Sequence, residues 1–322
     1  MSISLRSKVQ SLPSSATIWV KFSILAVLVG LLYFPVIPPM VVQWWKDPNY
    51  SHGFLIPLVS LFLVWRRRDV LKHLPKVPSN WGLPVMVGGI SVLTVGFLGA
   101  ELFLTRSSLI AVLSGIVIYL GGWGLLRALL FPIAYLIFMV PLPFLVFNAV
   151  AFPLQLLAAR VAQASLEILG IPVLREGNII HLPGASLEVV DACSGIRSLM
   201  SLAALGTLFA YFTQRSFWKR AVLVLSTIPI AVATNALRVS GTGFLAYHFG
   251  QEAAEGFFHE FSGLVVFGSA LVLLFLEGTL LRMIGKGRGS GPPLLEALDT
   301  VSYTHLRAHE TRHDLVCRLL LE

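Results

Sequence analysis

Cysteine is nearly absent from this chain of 322 residues: only Cys193 and Cys317 occur, and the second lies in a tail of different character. A disulfide framework is therefore excluded for the body of the protein. Charge is scarce as well, at 12% of residues, about half of what a soluble domain carries. Apolar residues reach 56% and mean hydropathy is +0.81. A soluble enzyme is excluded, and an all-α, polytopic membrane protein is expected. The net charge of +8 does not indicate nucleic-acid binding, because the basic residues cluster between apolar runs as they do in cytoplasmic loops. No convincing small-residue cleavage site follows Arg6, Lys8, Lys21 and the first apolar run, so that run is expected to be an uncleaved span.

A spanning helix needs about 20 apolar residues. Eight runs qualify, over roughly 20–42, 52–65, 82–104, 107–126, 128–147, 194–213, 219–240 and 260–281, the second being short. Basic clusters follow the even-numbered runs: Arg66, Arg67, Arg68, Lys72 and Lys76; Arg127; Arg215, Lys219 and Arg220; and Arg282, Lys286 and Arg288. Both termini are therefore expected to be cytoplasmic. The count closes if residues 149–170, with Arg160 and Glu167 among Leu and Ala, form an interfacial amphipathic helix. Two runs of β-forming residues flank Pro183-Gly184-Ala185, which predicts a small outer-face hairpin just before Cys193.

This topology places three reactive groups in one outer layer. Cys193 opens the sixth span, Arg238 ends an apolar run about 28 Å above Lys219, and His259 opens the eighth span. A thiol at a helix start near a cation favours its thiolate. Imidazole moves protons near neutral pH, and guanidinium suits an oxyanion. Together they describe a cysteine acyl-transfer site. Each has a plainer alternative. Cys193 could be packing, Arg238 could pair with Glu255 or Glu260, and His259 could reach headgroups. Asn235, one turn before Arg238, could be a helix–helix hydrogen-bonding residue. His52 could line a substrate cleft or touch headgroups. Arg197, one turn after Cys193, could tune the thiolate, bind an acidic substrate residue, or pair with Asp191 or Glu188.

The blocks Ala192-Cys193-Ser194-Gly195-Ile196-Arg197-Ser198, Asn235-Ala236-Leu237-Arg238 and Phe258-His259-Glu260-Phe261-Ser262-Gly263 carry a family resemblance. With Asn49-Tyr50-Ser51-His52-Gly53-Phe54-Leu55-Ile56-Pro57, Trp65-Arg66-Arg67-Arg68, Phe138-Met139-Val140-Pro141-Leu142-Pro143 and Glu176-Gly177-Asn178, the chain resembles the exosortases from about residue 44 to 285. The resemblance implies a multi-pass cysteine enzyme of the bacterial inner membrane that acts at the periplasmic face. It would cleave the C-terminal PEP-CTERM sorting signal of exported proteins and transfer them to an acceptor, lipid- or polysaccharide-linked among the options. It implies Cys193 as nucleophile, His259 as general acid and base, and Arg238 as oxyanion stabiliser. From their positions, His52, Arg197 and Asn235 are the candidates for substrate contact, and no cofactor or metal is implied. The exosortase domain is expected over 1–292. A transporter or channel lined by Arg238 and His259, or a lipid-linked glycan-processing enzyme, would also use polar groups at this depth.

Residues 293–322 differ in character. His305, His309, His313 and Cys317 recur every fourth residue, a zinc-like pattern. However, Ser302–Asp314 resembles translated sequencing adapter appended to many unrelated chains, so the tail is read as non-native.

Overall fold

A backbone in lipid must satisfy its own hydrogen bonds, which turns long apolar runs into helices. The computed structural model describes residues 15–183, 185–189, 196–250 and 257–284, with side chains set aside at 15–19, 21–22, 196–197 and 257–262. The tail from 293 and its His/Cys pattern lie outside the described residues. The chain divides into two compact units, Met1–Val146 and Phe147–Glu322.

The first unit opens with α1 (Ser15–Leu32) and α2 (Ile37–Lys46), whose apolar parts meet at a 62° bend. Pro35, Pro38 and Pro39 lie at that bend, where a continuous helix would lose backbone donors. Tyr33 is fully buried there and hydrogen-bonds Ser108 Oγ at 2.8 Å. A 3₁₀ turn, Pro48–Phe54, follows; Asp47 Oδ1 caps it by accepting from the Asn49 N–H at 2.9 Å. Then come α3 (Leu55–Arg66), α4 (Arg68–His73), α5 (Gly82–Leu98) and α6 (Leu102–Tyr135). Small residues let α5 and α6 approach closely, with Gly89 against Val112 and Gly96 against Thr105. Gly122 interrupts α6 with φ 78° and ψ −175°, and a 3₁₀ turn closes the unit at Leu136–Met139.

The second unit contains α7 (Phe144–Ile168, beginning just before its boundary), a small sheet, and α8 (Ile196–Thr213), α9 (Phe217–Leu225), α10 (Thr227–Phe249) and α11 (Phe257–Met283). The sheet is antiparallel, ordered β1 (Leu174–Glu176), β2 (Ile179–Leu182), β3 (Ala185–Glu188). The expected hairpin is β2–β3, and β1 adds a strand that the sequence reading did not contain. One apolar cluster joins α7, the sheet and the later half of α10 through Ala158, Ala162, Leu166, Ile180, Val189, Val239 and Ala246. A second joins α8 to α11 through Leu199, Leu202, Leu223, Ala231, Ala270 and Leu274. Basic residues close helix ends: Lys219 Nζ donates to the Ile284 carbonyl at 2.6 Å and Arg220 Nε to the Gln214 carbonyl at 2.7 Å.

Every apolar run read from the sequence contains helix, but the lengths differ from the even set of eight expected. Among the described residues, Leu102–Met139, Phe144–Ile168, Phe217–Phe249 and Gly263–Met283 are long and apolar enough to cross a membrane, and the bent α1–α2 pair would make a fifth. The shortfall has local causes. Residues 52–54 belong to the 3₁₀ turn, which leaves α3 at 12 residues, and α5 stops after 17. The segment expected to lie in the interface is instead α7, 25 residues with the length and hydropathy of a span.

Candidate active site

The three residues singled out at the sequence level all belong to the second unit, on or beside helices that pack on one another. α10 contacts both α8 and α11, and α8 contacts α11. Their relative height can be measured from a shared contact. A Cβ added to Gly206 on α8 would lie 2.5 Å from Thr227 Cγ2 on α10 and 3.6 Å from Leu274 Cδ2 on α11. At a helical rise of about 1.5 Å per residue, the outward distances from that level are about 15 Å to Ile196, about 17 Å to Arg238 and about 22 Å to His259. The run lengths on α8 and α11, which head one way, and on α10, which heads the other, thus agree to within about 7 Å.

Arg238 lies within α10, not at its end, because the helix continues to Phe249. The stretch beyond it packs on the sheet: Val239 and Ala246 belong to the cluster under β2 and β3, and a Cβ on Gly243 would lie 3.5 Å from Leu187 Cδ1. Arg238 is half-buried, whereas Asn235 is only 2% exposed. The burial of Asn235 suits a helix–helix hydrogen-bonding residue better than one facing substrate.

His259 is the third residue of α11 and Arg197 the second of α8, and their side chains lie outside the described set. Cys193 also lies outside the described residues. Its neighbours on the chain are placed: Val189, four residues before it, is 1% exposed in the cluster that contains Val239, and α8 begins three residues after it. The described chain thus stops at Val189, in the cluster that includes Val239, and resumes at the start of α8. A helix start carries unsatisfied N–H groups and a partial positive charge, which favour a thiolate or an oxyanion.

His52 belongs to the first unit, in the 3₁₀ turn. Both ring nitrogens are shielded from solvent, and although the carbonyls of Asn49 and Phe138 stand near the ring, neither completes a hydrogen bond of normal geometry. That placement argues against a headgroup contact, since its polar atoms face inward. The turn is fixed by Trp44, whose indole N–H donates to the Met139 carbonyl at 2.9 Å and whose ring lies against Gly53.

Glu277 was passed over in the sequence reading because one carboxylate does not spoil an apolar run. Ser226 Oγ donates to Glu277 Oε2 at 2.5 Å, which ties the α9–α10 joint to α11 at the end opposite Arg238. Gly206 and Gly278 went unnoticed for a similar reason. A glycine in a span marks close approach only once its neighbour is known, here Thr227 and Phe209.

Among known families, residues 44–276 match the one described as Transmembrane exosortase (Exosortase_EpsH). Neither a curated protein nor a solved structure matches the chain.

Proposed function

The chain belongs to the transmembrane exosortase family, membrane-embedded protein-sorting transpeptidases of the cysteine type, and from this premise we propose that it cleaves PEP-CTERM sorting signals through an acyl-thioester on Cys193. The Cys193 thiolate attacks the scissile carbonyl, and the C–N bond breaks as His259 gives its proton to the leaving amine. The acceptor's nucleophile then attacks the thioester while His259 takes its proton, which frees the thiolate and restores the protonated imidazole. Arg238 stabilises the oxyanion formed in each step. Arg197 is assigned to substrate contact, His52 to the packing of the 3₁₀ turn in which its ring nitrogens are buried, and Asn235 to holding the α10 face that presents Arg238.

The observation that supports this assignment is the matched height of α8, α10 and α11 above the Gly206–Thr227–Leu274 contact. It supports a common level for the helices that carry the three family blocks. Eight crossings with both termini cytoplasmic remain the proposed topology. Dividing α6 at Gly122 and laying α7 flat gives that number, and so does counting α6 as one long span and letting α7 cross. The site then faces the periplasm of the inner membrane, where the sorting signal, itself an anchored helix, is held at a fixed depth. The catalytic domain is taken as 1–292, with 293–322 non-native; the acceptor is a lipid- or polysaccharide-linked nucleophile.

Mass spectrometry tests the covalent step directly. Reaction with a co-reconstituted substrate, quenched in acid, is expected to leave the substrate's N-terminal part on the peptide containing Cys193, and an impermeant thiol reagent added outside should block its formation. A reaction that proceeds with Cys193 fully alkylated would instead favour a glycan-processing or transport role for the same layer. Arg238→Lys should lower the processing rate by about 100-fold, because a lysine ammonium cannot present the forked donors of guanidinium to an oxyanion. A variant within about threefold of the parent would assign Arg238 to structure alone.

A further inference from the structure

Of the three strands that precede Cys193, only β3 leads on to it, and β3 is an edge of the sheet. The register fixes what that edge offers. The Val189 N–H donates to the Asn178 carbonyl at 2.9 Å, so these two residues form a hydrogen-bonded pair. In an antiparallel ladder such pairs alternate with non-hydrogen-bonded ones. Leu187 stands opposite Ile180, Glu188 opposite Ile179 and Ser186 opposite His181. Leu187 therefore turns its backbone groups toward β2, while Ser186 and Glu188 turn theirs away. The 3.0 Å contact between His181 Nδ1 and Ser186 Oγ agrees, because side chains of a non-hydrogen-bonded pair stand closer together.

Ser186 and Glu188 are both exposed, and since β2 is the neighbour of β3 among the described strands, the register turns their N–H and carbonyl groups to the open side of the sheet. The strand itself is firmly held. Leu187 lies against Gly243 of α10, Ile180 opposite it is fully buried, and Val189 sits in the cluster that contains Val239. An open row of donors and acceptors on a fixed strand is a template for pairing with another extended chain. In the sequence Cys193 lies five residues beyond Glu188, a reach of at most about 17 Å.

We propose that the sorted protein binds by strand addition: the extended segment leading into its own membrane helix pairs with the backbone of Ser186 and Glu188 on the β3 edge and is carried along it to Cys193. This rests on Cys193 being the nucleophile. Pairing through the main chain gives a fixed register while tolerating varied side chains, which suits an enzyme that handles many exported proteins bearing one type of signal.

Proline at an outward-facing edge position removes a donor without breaking the ladder to the neighbouring strand. Glu188→Pro should therefore lower kcat/KM for a full-length membrane-anchored substrate by about tenfold, the value of one or two lost hydrogen bonds. Glu188→Ala keeps the backbone N–H and reports the side chain's own share of the effect, and the thermal midpoints of both variants should match the parent. Glu188→Pro processing at the rate of Glu188→Ala would overturn strand addition. A measure independent of enzyme folding comes from substrates carrying one backbone N-methyl group at successive positions before the scissile bond. Loss of processing at every second position is expected; a uniform effect, or none, would overturn the proposal. Including Cys193→Ala separates the two claims. If it processes substrate like the parent, the nucleophile assignment fails; if it is inactive and Glu188→Pro is fully active, only strand addition fails.

Discussion

Cys193→Ala is expected to abolish processing of a co-expressed PEP-CTERM substrate, with a fall of at least about 10⁴-fold at unchanged enzyme abundance, since removal of a covalent nucleophile closes the two-step path. Abundance should hold because the second unit's packing rests elsewhere, on Leu199, Leu202, Ala231, Ala270 and Leu274 between its helices and on Leu166, Ile180 and Val189 around its sheet. Cys193→Ser should recover little, because a hydroxyl is far less ionised than a thiol near neutral pH. The sharper measurement is the double variant Cys193→Ala/His259→Ala. Residues that act as one unit are strongly non-additive, so adding the second change should cost almost nothing beyond the first. Quantifying the substrate's new C-terminus by mass spectrometry alongside enzyme abundance gives the result. Retained processing in Cys193→Ala at normal abundance would end the acyl-enzyme mechanism.

Much of what positions this site is legible in the sequence, for a physical reason. A bilayer forces apolar runs into helices, so the order of α8, α10 and α11 follows from composition alone. The β2–β3 hairpin also follows, because Pro183-Gly184 separates two β-forming runs. Helix ends were less legible. Hydropathy does not register that Pro48–Phe54 winds as a 3₁₀ turn or that α10 runs on to Phe249, since both depend on tertiary contacts, Trp44 against Gly53 and Leu187 against Gly243. Over residues 149–170, Arg160 and Glu167 suggested a surface helix, and the sequence did not reveal that Ala158, Ala159 and Ala162 are buried in the cluster against the sheet or that α7 has the length and hydropathy of a span. The outward edge of β3 could not be read at all, because it is set by ladder register, which only the Val189–Asn178 hydrogen bond reveals.

Gly122→Ala should be the most destabilising methyl addition in the first unit. Its backbone, at φ 78° and ψ −175°, lies in a region that only glycine enters without strain. Strain is only part of the cost, since a Cβ here would also overlap the carbonyl oxygen of Val77. Neither group can yield cheaply. Gly122 is buried between the two parts of α6, and the chain carrying Val77 is tied to that helix two residues later, where the Ser79 N–H donates to the Ile118 carbonyl at 3.3 Å. Relief would require straightening α6 or displacing the connection into α5, so a loss of about 3 kcal/mol or more is expected. Gly124, two residues along, is the matched control, being exposed and helical with nothing within 4 Å of an added Cβ. Gly124→Ala should leave stability unchanged or raise it by about 0.5–1 kcal/mol through better helix propensity. Thermal unfolding of the three proteins in one mild detergent separates the cases: a marked drop in midpoint for Gly122→Ala alone is expected, and equal midpoints would show that α6 is continuous at this point.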